Sequence, residues 1–180
     1  MKRIFIAIPV AEEVKEKIKS FVQELSASGA DLKLVSLENL HLTLKFLGEV
    51  DEDKIPLIRE KLSAISQEPF SISFQSIGVF PAVDRINVIW IGVDAPEWVS
   101  LLQKINAALN YIRKEEREEI PHLTLARMKS AKNKEMVQQL VEKNEHTSFG
   151  NMPLDVFYLY ESELGPAGPV YTILHEFTLR

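Results

Sequence analysis

The tetrapeptide His-Leu-Thr-Leu occurs twice in this sequence, at residues 41–44 and again at residues 122–125. Successive side chains of an extended strand point to opposite faces. Each copy would therefore present an imidazole and a hydroxyl on one face of a strand and turn its two leucines towards the core. The polar residues that this pattern brings to one face of each strand are His41, Thr43, His122 and Thr124.

Two imidazoles and two hydroxyls suit the chemistry of phosphate esters. An imidazole titrates near neutral pH, so one ring can act as a base while the other acts as an acid. A threonine hydroxyl donates a hydrogen bond to an anion without adding charge. In-line attack on a phosphodiester needs a base for the incoming oxygen and an acid for the departing one, and two histidines on opposite walls of a cleft would supply both without a metal ion. A cyclic phosphate is a sensible substrate because its ring strain favours opening.

Arg127 is a further candidate for binding phosphate. Its guanidinium group can bind two phosphate oxygens at once. Because Arg127 lies five residues after His122, strict alternation would place it on the opposite face of the strand. We therefore expect Arg127 to take part only if the strand ends or twists before it.

The flanking sequence predicts which elements hold the two motifs. Apolar residues alternate or run continuously in the predicted strands and recur at helical spacing in the predicted helices. The predicted strands are 4–10, 32–35, 40–47, 70–74, 85–93, 121–127, 152–161 and 170–179. The predicted helices lie over 14–25, 55–65, 98–112 and 136–141, with Asp51 and Ser130 as candidate caps. A loop over 78–84 would join two strands, Trp90 would lie in the core, and the charged run 113–119 would form a solvated turn.

This order of elements predicts an α+β fold, because helices and strands are mixed without the strict alternation of a parallel α/β sheet. One motif strand in each half of the sequence predicts two lobes of antiparallel sheet, related by a pseudo-twofold axis, with helices packed outside. The two histidines would then lie on opposite walls of a central cleft. No linker rich in Gly or Ser separates the halves, so we expect residues 1–180 to form a single bilobal domain.

The composition excludes several kinds of chemistry. The chain has 180 residues and a formal net charge of −5. It contains no cysteine, and this absence rules out disulfides, thiolate metal sites and a cysteine nucleophile. The negative charge argues against a long nucleic-acid footprint, although a ligand with one or two phosphates is compatible with it. No apolar run approaches the roughly 20 residues of a membrane span, and the N-terminal segment lacks the pattern of a secretory signal. We therefore expect a cytoplasmic protein with no membrane association.

The extended motifs resemble those of a known superfamily. The first copy continues as His-Leu-Thr-Leu-Lys-Phe-Leu-Gly over 41–48, and the second reads Pro-His-Leu-Thr-Leu-Ala-Arg over 121–127. Both resemble the motifs of the two-histidine phosphoesterases, in particular the RNA 2′,3′-cyclic phosphodiesterase branch, also called 2′-5′ RNA ligase. Residues 3–8, 88–92 and 162–171 resemble further segments of that family, so the resemblance covers nearly the whole chain. It implies a bilobal α+β fold, no metal or cofactor, hydrolysis of a terminal 2′,3′-cyclic phosphate to a 2′-phosphate, and possible 2′-5′ ligation as the reverse reaction.

The resemblance also implies a role for each matching residue. The two histidines would be catalytic, the two threonines and the arginine would contact phosphate, and a phenylalanine would stack on the terminal base. These residues are His41, His122, Thr43, Thr124, Arg127 and Phe46. The resemblance favours His122 as the base that activates water and His41 as the donor of a proton to the departing 3′-oxygen, whereas the residues themselves are symmetric on this point.

Three alternatives remain open at the level of sequence. The substrate could be another cyclic phosphate, such as one on ADP-ribose, or the protein could be a nucleotide-binding module without turnover. A metal site at His41 and His122 is disfavoured because no carboxylate lies at a supporting spacing near either residue. We expect RNA 3′ ends or nucleotides with a cyclic phosphate as partners and a monomeric protein, with His146 exposed and His175 structural.

Overall fold

Nine strands and four helices are seen in the parts of the chain that the computed structural model describes, which are residues 1–112, 120–166 and 168–180. The strands are β1 (Lys2–Pro9), β2 (Leu32–Leu34), β3 (His41–Val50), β4 (Phe70–Ala82), β5 (Arg85–Asp94), β6 (His122–Met128), β7 (Ser148–Leu154), β8 (Val156–Gly165) and β9 (Gly168–Thr178). The helices are α1 (Glu12–Ala27), α2 (Ile55–Ser63), α3 (Trp98–Leu109) and α4 (Lys134–Lys143). Short 3₁₀ turns at Leu37–Asn39 and Glu52–Lys54 precede β3 and α2.

The strands form two sheets in which every pair is antiparallel. A four-stranded sheet has the order β3-β1-β8-β9, and a five-stranded sheet has the order β2-β6-β5-β4-β7. Each sheet contains one of the two motif strands, and the predicted α+β class is confirmed. The sheets nevertheless do not correspond to the two halves of the sequence, because β2 crosses to the five-stranded sheet while β8 and β9 return to the four-stranded one.

The helices pack on the outer faces of the sheets. Helices α1 and α4 contact the five-stranded sheet, whereas α2 and α3 contact the four-stranded one. Helix α1 illustrates why the helices pack in this way. Its apolar residues recur at intervals of three and four and therefore form one buried stripe along the helix. These residues are Val14, Ile18, Phe21 and Leu25. None of the described helices combines the length and the apolarity that a bilayer crossing requires.

Two strand predictions are wrong in their boundaries. The segment 152–161 is predicted as one strand, but β7 pairs with β4 in one sheet and β8 pairs with β1 and β9 in the other. The chain therefore changes sheet at Asp155, which periodicity alone cannot reveal. The loop predicted over 78–84 is also wrong, because β4 continues to Ala82 opposite Arg85 and leaves only two residues for the turn.

Neither predicted helix cap forms. Asp51 makes no side-chain hydrogen bond to a helix N-terminus, and its carboxylate instead lies 3.1 Å from Nζ of Lys54. Ser130 lies too early, because α4 begins only after Asn133, whose φ is 52°. The charged run 113–119, predicted as a solvated turn, lies outside the described residues.

Each sheet has one face covered by helices and one face turned away from them. The leucines of both motifs are buried in the core, as predicted: Leu42, Leu44, Leu123 and Leu125. The histidine and threonine of each motif are half-buried on the opposite face. We call the helix-free face of the four-stranded sheet the first wall and that of the five-stranded sheet the second wall. Strands β3 and β6 contact each other, so the motif strands of the two walls are neighbours in space.

Candidate active site

The backbone holds both histidine rings in the same way. Nδ1 of His41 lies 2.7 Å from the carbonyl oxygen of Asn39, and Nδ1 of His122 lies 2.6 Å from the carbonyl oxygen of Ile120. A carbonyl oxygen can only accept a hydrogen bond, so Nδ1 carries the proton in each ring. The neutral rings therefore leave Nε2 unprotonated. Each Nε2 can take a proton, or can give one once its ring is protonated, which is what an acid–base pair requires.

A β-bulge in each motif strand redirects the side chains that follow it. In the pairing of β1 with β3, Leu44 has no partner residue in β1. In the pairing of β5 with β6, Leu125 likewise has no partner residue in β5. An extra residue on one strand of a pair shifts its alternation by one position. Accordingly, the first six residues of both motif strands show the same order of exposure, which is half-buried, buried, half-buried, buried, buried and exposed.

The sixth residue of each motif strand is therefore on the same wall as the histidine and the threonine. This residue is Phe46 in β3 and Arg127 in β6, and both side chains are exposed. The odd offset of Arg127 from His122 is thus no obstacle to its sharing a face with that ring. Phe46 is 48% exposed, so its side chain is not needed to fill the core.

Aromatic rings enclose His41 on the first wall. The ring centroids of Phe5 and Tyr171 lie 5.1 and 5.2 Å from that of His41. Burial lowers the pKa of His41 from its ordinary value, and the hydrogen bond to the carbonyl of Asn39 acts in the opposite direction. The free ring is therefore mainly neutral at pH 7. The side-chain amide of Asn39 also donates to the carbonyl of Pro169 at 3.4 Å, which ties this turn to the start of β9.

The same aromatic cluster extends across the first wall. Phe5 stacks on Tyr160 with ring centroids 5.2 Å apart and also contacts Phe46 at 5.9 Å. Burial raises the pKa of Tyr160 to about 12, so its hydroxyl remains protonated at neutral pH. The first wall thus presents uncharged rings around His41.

Aromatic rings also flank His122 on the second wall. Phe80 meets its ring edge-on at 5.0 Å, and Trp90 lies 6.3 Å away between centroids. The prediction that Trp90 lies in the core is wrong, because Trp90 is half-buried on the wall and its two neighbours in β5 fill the core instead. Its ring lies over Gly78, where any Cβ atom would overlap the indole.

Lys33 is a second-wall residue that sequence analysis missed. Strand β2 pairs with β6 so that Lys33 lies opposite Arg127, and its side chain is exposed. In the sequence Lys33 shows only as a polar residue between two leucines. Its proximity to the motif depends on the pairing of two strands that are far apart in the chain.

The remaining histidines lie apart from this arrangement. His146 is exposed, as predicted. His175 packs edge-on against Phe177 with centroids 4.7 Å apart and pairs with Leu159 on the helix-covered face of its sheet. Within residues 1–112, 120–166 and 168–180, no three His, Cys, Asp or Glu side chains are grouped so that they could hold a metal ion.

Fold and site together define a class of protein, an α+β phosphoesterase with one His-x-Thr strand in each of two sheets. The chain belongs to the LigT-like phosphoesterase family, whose model, described as LigT like Phosphoesterase, matches residues 8–90 and again residues 92–171. Each match contains one of the two motifs. The resemblance inferred from the motifs is therefore confirmed.

Relatives of known sequence and structure agree with this assignment. The RNA 2′,3′-cyclic phosphodiesterase of Methanocaldococcus jannaschii is 40% identical over 177 residues, which cover 97% of this chain and 99% of the relative. The protein of the same name from Archaeoglobus fulgidus is 40% identical over 179 residues, with coverage of 97% and 99%. A crystal structure of a protein from Thermus thermophilus matches with a TM-score of 0.83 at 29% identity, covering 99% of this chain and 98% of that one. The apo form of E. coli LigT matches with a TM-score of 0.79 at 25% identity, covering 99% and 97%.

Proposed function

We propose that this protein hydrolyses 2′,3′-cyclic phosphates at RNA 3′ ends or on nucleotides to 2′-phosphates, with His41 and His122 as a metal-independent acid–base pair. The observation that carries the proposal is that the backbone holds both histidine rings by the same hydrogen bond. Each donates from Nδ1 to the carbonyl two residues before it, which leaves both Nε2 atoms for proton transfer. The names of the relatives supply the class of substrate.

The proposed reaction is a single in-line displacement at phosphorus. Nε2 of His122 takes a proton from the attacking water as the new P–O bond forms. The bond between phosphorus and the 3′-oxygen breaks, and Nε2 of protonated His41 gives its proton to that oxygen. The product is a 2′-phosphate with a free 3′-hydroxyl, and the pair returns to its starting state by proton exchange with solvent. In ligation a 5′-hydroxyl takes the place of water as the nucleophile: it gives its proton to His122 as the new P–O5′ bond forms, the bond between phosphorus and the 3′-oxygen breaks, and His41 protonates that oxygen, which would give a 2′-5′ linkage.

The neighbouring residues stabilise charge and orient the substrate in this proposal. The hydroxyls of Thr43 and Thr124 donate hydrogen bonds to the non-bridging phosphate oxygens, where charge is redistributed in the transition state. Arg127 adds a guanidinium group on the second wall. Phe46, at the equivalent position of the first wall, stacks on the terminal base. One chain supplies both histidine strands, so the proposed enzyme acts as a monomer, and we place its activity in the cytoplasm.

The proposal is tested by following the fate of the phosphate in the presence of EDTA. The protein is incubated with 2′,3′-cyclic CMP, with a short RNA that ends in a cyclic phosphate, and with ADP-ribose cyclic phosphate. The products are resolved by chromatography against 2′- and 3′-phosphate standards. We expect turnover of the nucleotide and RNA substrates to 2′-phosphates at a rate that EDTA does not change.

Each other outcome contradicts a defined part of the proposal. A 3′-phosphate product would reverse the assigned bond cleavage. Loss of activity in EDTA, with recovery on addition of a divalent cation, would contradict metal independence. Nucleotide binding without turnover would indicate a binding module. A higher kcat/KM for ADP-ribose cyclic phosphate than for RNA would indicate that RNA is not the preferred substrate.

The proton-donor role of His41 makes a prediction about its pKa. Burial lowers the pKa of the free ring, whereas a donor must be protonated when substrate is bound. An anionic phosphate nearby favours the charged form of the ring. We therefore expect the pKa of His41 to rise when a nucleoside 2′-phosphate binds. The measurement is a pH titration of the imidazole ¹⁵N signals by NMR with and without this ligand.

His146 provides the internal reference for that titration because it is exposed and lies outside the site. Its ¹⁵N signals should be the same with and without the ligand. A His41 ring that stays neutral at pH 7 in the complex would contradict the donor role and would assign that role to His122 instead.

A further inference from the structure

The two walls differ at the edge next to the motif strands. In the four-stranded sheet β3 is itself the edge strand, whereas in the five-stranded sheet β2 continues the wall beyond β6. Strand β2 has only three residues, and its two leucines pack against the core. The single side chain that β2 adds to the second wall is therefore that of Lys33.

Lys33 and Arg127 form a cationic pair on this wall. They are cross-strand partners, and both side chains are exposed on the same face. Among the described residues neither one takes part in an ion pair. Like charges directly opposite each other in a sheet are destabilising. A phosphate group between or beside them would remove that repulsion, so the pair fits a polyanionic ligand.

The order of residues along the second wall gives the pair a direction. His122 and Thr124 come first, Arg127 follows after the bulge, and Lys33 lies one strand further out. The cations thus extend away from the histidine, on the side of the threonine. The first wall offers an aromatic ring, Phe46, at the position equivalent to Arg127. A nucleic-acid strand can therefore place its terminal base on the first wall and its backbone along the second.

We propose that Lys33 binds the first internucleotide phosphate, one nucleotide before the cyclic end, and so makes the enzyme prefer RNA ends to cyclic mononucleotides. This inference rests on the proposed function. Arg127 serves the reacting phosphate in both kinds of substrate, whereas Lys33 meets a phosphate only when a further nucleotide is present. Lys33 is thus a specificity residue that does not touch the reacting atoms.

The test compares kcat/KM for two substrates that share the same reacting group, 2′,3′-cyclic CMP and the trinucleotide CpCpC with a terminal 2′,3′-cyclic phosphate. The variant Lys33→Gln removes the charge and keeps most of the side-chain stem. We expect it to lower kcat/KM for the trinucleotide about fivefold, the upper range for an exposed ion pair, and to leave the mononucleotide unchanged. The slope of log kcat/KM against log salt should fall by about 0.7 for the trinucleotide, as expected for the loss of one phosphate contact on a single strand.

Two further variants serve as controls. Lys33→Arg keeps the charge and should restore the trinucleotide preference. Lys143→Gln removes an exposed lysine from α4, where Lys143 pairs with Glu24 at 3.3 Å, and should change neither substrate. Thermal unfolding of Lys33→Arg and Lys143→Gln should coincide with that of the unmodified protein because both lysines are exposed. Lys33→Gln should unfold at the same or a slightly higher temperature, because it removes the repulsion between Lys33 and Arg127.

The possible failures are distinguishable. If Lys33→Gln lowered kcat/KM equally for both substrates, Lys33 would act on the reacting phosphate or on the wall itself, and the inference would be overturned. If kcat/KM for the trinucleotide were unchanged in this variant, the inference would also be overturned. In either case the unmodified protein still turns over the mononucleotide, so the proposed function stands. Absence of turnover of both substrates by the unmodified protein would contradict the proposed function and this inference together.

Discussion

Replacing either His41 or His122 with glutamine is expected to lower kcat for 2′,3′-cyclic CMP by about 10²- to 10⁴-fold, the usual contribution of one general acid or base. Glutamine keeps a polar group of similar reach but does not titrate near neutral pH. The double variant should be only slightly slower than either single variant, because an acid and a base that act in one step contribute as a unit. Steady-state kinetics on the three variants measure both effects.

The pH dependence of the residual activity assigns the two roles. The unmodified enzyme should show a bell-shaped profile that belongs to the pair, since the base must be neutral and the acid must be protonated. If His41 is the acid, removing it removes the limb that falls at high pH, and the rate of His41→Gln should rise with pH to a plateau. Removing the base should leave a rate that only falls with pH. The reverse pattern would exchange the roles of His41 and His122.

The matched control for both variants is His146→Gln. His146 is exposed and away from the motif strands, so this substitution should leave kcat and the pH profile unchanged. Circular dichroism and thermal unfolding show whether a variant is folded. A folded His41→Gln or His122→Gln protein with nearly full activity would contradict the acid–base pair.

The site could be predicted from the sequence to the extent that it is repeated. A single His-x-Thr in a strand is usually structural, but two copies in equivalent places indicate a pair of strands with one function. Alternation within His-Leu-Thr-Leu then places the leucines in the core and the polar residues opposite them, and the burial of all four leucines confirms this. Over the four residues of each motif, local periodicity and tertiary structure agree.

The place of Arg127 could not be predicted, because it depends on a bulge. Strict alternation puts Arg127 on the wrong face, and the extra residue at Leu125 puts it on the wall. The bulge at Leu44 does the same for Phe46. Nothing in the local composition marks either bulge, since Leu125 precedes an alanine and Leu44 precedes a lysine. A bulge is fixed by the pairing of two strands, not by the residues of one.

The residues that surround the histidines could not be predicted from the sequence either, because they come from strands that are distant in the chain. Phe5 and Tyr171 reach His41 from β1 and β9, and Phe80 reaches His122 from β4. Each is an ordinary aromatic residue in an ordinary strand. Only the strand order of the two sheets reveals which wall they share and which ring they enclose.

Substituting Gly78 with alanine is expected to reduce both stability and activity through Trp90. The Cβ of an alanine would overlap the indole ring, which lies directly on Gly78 across the β4–β5 pair. This overlap can be relieved only if the indole ring of Trp90 moves. That ring is flanked by Phe80 and lies near His122, so its movement would disturb the surroundings of His122. Overpacking of this kind typically costs about 1–3 kcal/mol of the free energy of unfolding. A displacement of about 1 Å at a reacting group can lower kcat by about 10²-fold, and we expect a loss approaching that size.

A double-mutant cycle with Trp90→Leu isolates this cause. Leucine leaves space above Gly78, so Gly78→Ala should cost little in that background, and the coupling between the two sites should exceed about 1 kcal/mol in unfolding free energy. Ser71→Ala, at an exposed position of the same strand, should be neutral in stability and in kcat. An equal cost of Gly78→Ala in both backgrounds would show that the glycine acts through the backbone of β4. A cost in stability with unchanged kcat would show that Trp90 fills the wall but does not hold His122 in place.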